Sequence, residues 1–115
     1  MSLGLKISLE EIEGRLILRI DGRLDVTSSP ILERKLNSLI EEKYRHLLLD
    51  FTQVEYLSSA GMRILLSASK KLKEKKGLLV VFSAPEDVAE IIRVAGFEKV
   101  LHLCSTEKEA LQYRP

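Results

Sequence analysis

Apolar and polar residues alternate from the first described pattern in the chain: Leu5, Ile7 and Leu9 are separated by Lys6 and Ser8. A period of two predicts a half-buried strand. Glu13-Gly14 is a turn signal, and Leu16, Leu18 and Ile20 then interleave with Arg15 and Arg19 as a second strand. Two strands so close in sequence predict an antiparallel hairpin. Asp21-Gly22 is expected to close the second strand, and Leu24-Asp25 to lead toward a helix.

The period then changes. Ser28 or Ser29 followed by Pro30 reads as a helix start, because a side-chain cap and a proline lacking an N–H both suit the first turn. Ile31, Leu32, Leu36, Leu39 and Ile40 follow at helical spacing, with Glu33, Arg34, Lys35 and Glu41 on the other face. Leu47 to Phe51 is a nearly continuous apolar run, as expected of a strand covered on both sides. A short polar loop is expected after it. From Ser59 a second helix carries Met62, Leu65, Leu66, Ser69 and Leu72 until Gly77 stops it.

Leu78 to Phe82 is another buried strand, and Ser83-Ala84-Pro85-Glu86-Asp87 restarts a helix with acids in its first turn. Val88, Ile91, Ile92 and Ala95 form the expected stripe of that helix, ended by Gly96. Val100 to Leu103 predicts a short strand, and Thr106 with Glu109 is a capping-box match opening a last helix through Ala110 and Leu111. The order β-β-α-β-α-β-α-β-α predicts an α/β layer structure: a mixed sheet with an N-terminal antiparallel hairpin and about four helices. At 115 residues the natural count is one domain, residues 1–115.

Composition narrows the chemistry. A formal net charge of +1 supplies no bulk attraction to nucleic acid or to an anionic membrane. Lys70, Lys71, Lys73, Lys75 and Lys76 cluster at the end of the second helix, where cations complement the dipole. A solvated helix end is the expected role, a docking patch the alternative. Cys104 is the single cysteine, so no disulfide can form within the chain, and a small buried apolar role is expected. His46 and His102 lie in or beside apolar runs without a ligand cluster, which favours structural roles and no metal. No secretory signal or bilayer-length apolar run is evident, so a cytoplasmic location is expected.

No Gly-x-Ser-x-Gly elbow, Walker-type loop, Gly-x-Gly-x-x-Gly or His-Glu-x-x-His is present. The expectation is a protein that is not an enzyme and needs no cofactor. Asp50, near the end of a buried strand, has the position of a receiver-domain phosphoacceptor. That chemistry also needs an acidic pair before the first helix and a strand-end lysine. Here Glu10-Glu11 ends a hairpin arm instead, so Asp50 is expected to order the following loop by accepting backbone hydrogen bonds. Ser58 and Ser59 stand at a helix start, where a serine is either a cap or an exposed hydroxyl beside the positive end of the dipole.

Gly22-Arg23-Leu24-Asp25, the run Leu47 to Phe51, Tyr56-Leu57-Ser58-Ser59-Ala60-Gly61-Met62 and Val94-Ala95-Gly96-Phe97 with Val100 resemble, in order and spacing, the landmark segments of bacterial anti-sigma-factor antagonists. These belong to the sulfate-transporter and anti-sigma-antagonist (STAS) domain family, and the similarity extends over essentially the whole chain. The family carries a phosphorylatable serine or threonine in a pattern close to Asp-Ser-Ser/Thr-Gly-Leu. Anchored on Gly61, the resemblance implies Ser59 as the acceptor, ahead of Ser58. Ser58 then occupies the usual aspartate position and Ala60 the usual second hydroxyl position.

The resemblance further implies a phosphorylation-switched binding module. Unmodified, it would sequester an anti-sigma factor with serine kinase activity and release a sigma factor; a phosphoserine phosphatase would reset it. Asp25 is implied to position the site or meet the kinase. Partner contacts are expected from Asp25, Thr27, Ser28, Ser58, Ser59, Ala60, Gly61, Met62 and Arg63, with Met62 assignable either to the core or to the interface. A monomer is the family expectation. The alternative is a scaffold or sensor of the same fold in another kinase network, controlling no sigma factor.

Overall fold

The computed structural model describes residues 4–114. The strands are β1 (Leu5–Ile12), β2 (Arg15–Leu24), β3 (His46–Leu57), β4 (Leu78–Phe82) and β5 (Leu103–Cys104). The helices are α1 (Ser29–Glu41), α2 (Ser59–Glu74), α3 (Glu86–Val94) and α4 (Glu107–Gln112). Spatial order follows chain order, β1-β2-β3-β4-β5, with β1 antiparallel to β2 and each later pair parallel. The mixed sheet and N-terminal hairpin match the expectation from the sequence. Glu13 and Gly14, both at positive φ, make the hairpin turn.

A parallel sheet wound in one direction places its crossover helices on one face. That face is the main core: Leu18, Leu47, Leu49 and Phe51 pack against Leu32 and Leu36 of α1, Leu65 of α2 and Ile92 of α3. The opposite face is smaller. Ile17, Leu48, Val80 and Phe82 are closed over by Ala110, with Leu111 and Tyr113 at the margin. Continuous apolar runs at Leu47–Leu49 and Leu78–Phe82 follow from this two-sided cover.

Several boundaries differ from those expected. Asp21-Gly22 does not end β2, nor Phe51 β3; the two strands stay paired as far as Leu24 and Leu57. Arg19 pairs with Asp50 but Asp21 with Gln53, and Gly22 pairs with Val54 but Arg23 with Tyr56. Each shift adds one residue to β3, a bulge. Burial in β3 therefore recurs every third residue, at Phe51, Val54 and Leu57, and the segment reads as a loop to a period-two rule. Gly22, at φ +131°, sits against the Gly4 carbonyl where a Cβ would collide, so only glycine fits.

Val100–Leu103 is not a strand. Residues 97–101 coil into a turn in which Leu101 N–H reaches the Phe97 carbonyl, and β5 is only Leu103–Cys104. On α3 the buried residues are Val88, Ala89 and Ile92, while Ile91 and Ala95 face outward. Cys104 is partly exposed rather than buried. Thr106 Oγ1 accepts Glu109 N–H at 3.1 Å, but the Glu109 carboxylate takes the Ser105 amide, so half of the capping box forms. Ser28 stands at the N-cap of α1 without a side-chain cap bond, and neither candidate serine caps that helix.

Candidate functional site

The end of β2 and the start of α2 are tied together by backbone. Ser58 N–H donates to the Leu24 carbonyl at 2.8 Å. Ser58 also caps α2, its Oγ accepting Gly61 N–H at 3.1 Å while its carbonyl accepts Met62 N–H at 2.9 Å. This serine is committed to the cap. Ser59, the first residue of α2, is exposed, and no hydrogen bond holds its hydroxyl among the described residues. The two serines that sequence alone left as alternatives thus have different environments.

Gly61 is what lets the helix start here. A Cβ on it would lie 2.9 Å from Leu57 Cδ1, 3.1 Å from Leu24 Cβ and 3.2 Å from the Leu24 carbonyl oxygen. Close approach of α2 to the ends of β2 and β3 brings Ser59 and the residues after Leu24 to the same rim of the sheet.

The β2–α1 loop is organised by Asp25 and Ser28. Asp25 Oδ1 accepts the Thr27 and Ser28 amides at 3.0 and 2.9 Å. Ser28 Oγ accepts the Asp25 amide at 3.0 Å, and its single proton is shared between the Arg23 carbonyl and Asp25 Oδ1. These bonds to Ser28, then to Thr27, hold the Asp25 carboxyl below the usual aspartate range, with Arg23 adding to the effect. The bonds that the Asp25 carboxylate accepts all fall on Oδ1, and Oδ2 has no hydrogen-bond partner among the described residues.

Between α1 and α2, next to this loop, lies an open groove of about 330 Å³ lined by Val26, Ser29, Glu33, Ala60, Arg63 and Ile64 among others. Val26, in the loop, is 75% exposed. Ser29 Oγ, on the groove wall, is the buried side-chain polar atom without a hydrogen-bond partner among the described residues. Arg63 is exposed beside it. The sequence offered Ser29 as one of two candidate caps for α1, a role the structure does not give it.

The expected contact residues therefore divide. Asp25, Thr27, Ser59, Ala60 and Arg63 reach the surface, while Ser58 is half-buried and engaged as the cap of α2. Ser28, Gly61 and Met62 are buried, Met62 at 6% exposure within the main core, so they shape the surface from beneath instead of touching a partner. Of the two assignments open to Met62, the core is the one adopted.

Asp50 lies on the other face of the sheet, away from the serines. It accepts the Thr52 amide at 2.9 Å and the Thr52 hydroxyl at 2.6 Å, and pairs with Arg19 at 2.9 Å. Burial pushes its carboxyl upward, but the Thr52 bonds and Arg19 outweigh that and hold it below the ordinary range. Arg19 also pairs with Glu10 at 2.7 Å and Glu107 at 2.8 Å, joining β1, β2, β3 and α4. Asp50 thus orders the local backbone as expected, though within an extended strand and not a loop. Among the described residues no group of three or more His, Cys, Asp or Glu could hold a metal ion, and no helix is long and apolar enough to cross a membrane.

Comparison with known proteins agrees with this architecture. The STAS domain pattern matches residues 6–110. The anti-sigma-F factor antagonist RsfB of Mycobacterium tuberculosis is 27% identical over 105 residues, 91% of this chain and 85% of that protein. The crystal structure of an anti-sigma factor antagonist from Mycobacterium paratuberculosis superposes with a TM-score of 0.86 at 25% identity, covering 94% of this chain and 92% of the other. The Bacillus cell fate determinant SpoIIAA in its phosphorylated form shares the fold with a TM-score of 0.72 at 17% identity, over 93% of this chain and 97% of that one. With the matching pattern spanning both the hairpin and α4, the chain belongs to the STAS domain family.

Proposed function

We propose that this chain is an anti-sigma-factor antagonist whose binding is switched off by phosphorylation of Ser59. The observation that carries the reading is the exposed, uncommitted hydroxyl of Ser59 at the first position of α2, beside a loop fixed by Asp25. Relatives named anti-sigma factor antagonists align over nearly the full chain, and a protein of the same fold exists in a phosphorylated form.

In the unmodified state, Val26, Thr27, Ala60 and Arg63 present a small mixed surface around the α1–α2 groove. The partner is an anti-sigma factor with ATP-dependent serine kinase activity; holding it frees a sigma factor. Transfer of phosphate to Ser59 adds roughly −1.5 to −2 charges beside that surface, next in sequence to Ala60. The Asp25 carboxylate, which makes no salt bridge among the described residues and feels Arg23 only at longer range, compounds the repulsion as the interface is desolvated. Within the free domain the positive end of α2 tolerates the phosphate, so binding is lost while the fold persists. A phosphoserine phosphatase restores the active form. The domain itself binds and is modified; it does not catalyse, and its place is the cytoplasm, as a monomer.

The test is capture of partners from the source cells on immobilised wild type and Ser59→Asp, followed by ATP, magnesium and intact-mass analysis. An anti-sigma-type kinase retained by wild type alone, with one phosphate mapped to Ser59, is the expected result. Equal capture by both forms with no phosphate on Ser59 would sink the proposal, and a sigma-independent kinase in its place would favour a scaffold in another network.

A further inference from the structure

A second cavity is roomier than the α1–α2 groove. It is a cleft of about 700 Å³ between the C-terminal half of α2 and the turn over residues 97–102, within the size range of small-molecule sites. Leu66, Leu79, Phe97 and Val100 supply apolar walls. The turn is fixed rather than loose: Ser69 Oγ donates to the Val100 carbonyl at 3.1 Å, and His102 Nδ1 meets the Tyr113 hydroxyl at 2.8 Å. Phe97 and Val100 belong to the Val94–Val100 segment singled out in the sequence, to which the partner surface gives no role.

Charge at the mouth has one sign. Lys70, Lys73 and Lys99 line the cleft, all three are exposed, and none has an ion-pair partner among the described residues. No carboxylate is among the lining residues. Burial and then Lys73 hold the His102 imidazole below its usual range, so the lysines carry the positive charge at neutral pH. An apolar wall beside three lysines without ion pairs among the described residues is complementary to a molecule with an apolar body and an anionic head.

We infer that the cleft between α2 and the 97–102 turn is a binding site for a small amphipathic anion, of the class of medium-chain fatty acids and aromatic carboxylates. The apolar body lies against Phe97, Leu79 and Val100, and the carboxylate reaches the lysines, whose flexible stems adapt to its position. This site is independent of Ser59: its lining on α2 begins at Leu66, two turns beyond the phosphoacceptor.

The experiment titrates the full chain with dodecanoate and, separately, dodecanol, followed by amide chemical shifts and calorimetry, below the micelle concentration. Dodecanoate is expected to bind with shifts concentrated at residues 66–79 and 97–102. Dodecanol is expected to bind more weakly. In the K70Q/K73Q/K99Q variant, whose changes are all at exposed positions, dodecanoate affinity falls by about tenfold or more while dodecanol affinity is unchanged. Phe97→Ala weakens both ligands, with circular dichroism checking its fold. Shifts confined to the α1–α2 groove, no saturable binding, or unchanged dodecanoate affinity in the triple variant would each overturn the assignment. So would displacement of the effect to an acidic peptide that binds where dodecanoate does not.

Discussion

Replacing Gly61 by alanine sets two effects of opposite sign against each other. In a helix, Ala is favoured over Gly by about 1 kcal/mol. Against this, the new methyl would stand 2.9 Å from Leu57 Cδ1, 3.1 Å from Leu24 Cβ and 3.2 Å from the Leu24 carbonyl oxygen. Leu57 can yield through its terminal methyl, but Leu24 cannot yield readily: its side chain is fully buried and its carbonyl already holds Ser58 N–H at 2.8 Å. Relief requires α2 to back away from the sheet, stretching that bond. Overpacking of this kind costs about 1–3 kcal/mol, and weakening the backbone bond adds about 0.5–1 kcal/mol. The net is a loss of about 0.5–3 kcal/mol. With an unfolding entropy of about 2.1 cal/mol/K per residue, that lowers Tm by about 2–12 °C. Thermal and urea unfolding followed by circular dichroism would measure it. A Gly61→Ala variant as stable as wild type, or more so, would refute the close-approach account of this glycine, because helix propensity would then be the winning effect.

Other perturbations have equally definite signs. Arg19→Met removes the cation shared by Glu10, Asp50 and Glu107 and leaves Asp50, whose side chain is 13% exposed, without its charge partner; a loss of about 1–3 kcal/mol in urea unfolding is expected, smaller in the Asp50→Asn background. The Asp25 and Asp50 carboxyls are both held below their ordinary value, so they contribute stability that is present above about pH 4 and lost as pH falls through their folded values. A plot of unfolding free energy against pH should therefore drop on its acid limb, and D25N/D50N should flatten that drop; an unchanged limb contradicts the assignment. Ser29→Ala removes a buried hydroxyl with no hydrogen-bond partner, so stability should hold or rise by up to about 1 kcal/mol, whereas a loss above that would reveal a bond to Ser29 Oγ.

The regular parts of the fold were legible because their periods are clean. The hairpin, α1, α2 and β4 each carry an unbroken apolar pattern, and the cap at Ser58 follows from a serine before a helical stripe. The second half of β3 was not legible, since two bulges turn its alternation into a period of three. Apolar residues around Leu101 looked like a strand because a turn that buries one leucine and a short strand can share composition; what distinguishes them is the positive φ of His102 and the local bond from Leu101 to Phe97. At the site, Ser59, Asp25 and Arg63 could be read directly. That Ser28 turns back into the loop, that Ser29 is left unpaired and that Val26 is exposed are details of side-chain placement in the β2–α1 loop, which the apolar and polar pattern does not encode.

The central claim is that charge on Ser59, and not a change of fold, ends partner binding. The most direct measurement is a calorimetric titration of the captured anti-sigma factor with unmodified chain, with chain stoichiometrically phosphorylated on Ser59, and with the same sample after phosphatase treatment. Near-identical circular dichroism should accompany affinity reduced by about 100-fold or more in the phosphorylated form and recovered on dephosphorylation. Equal affinity of the phosphorylated and unmodified chains would contradict the account.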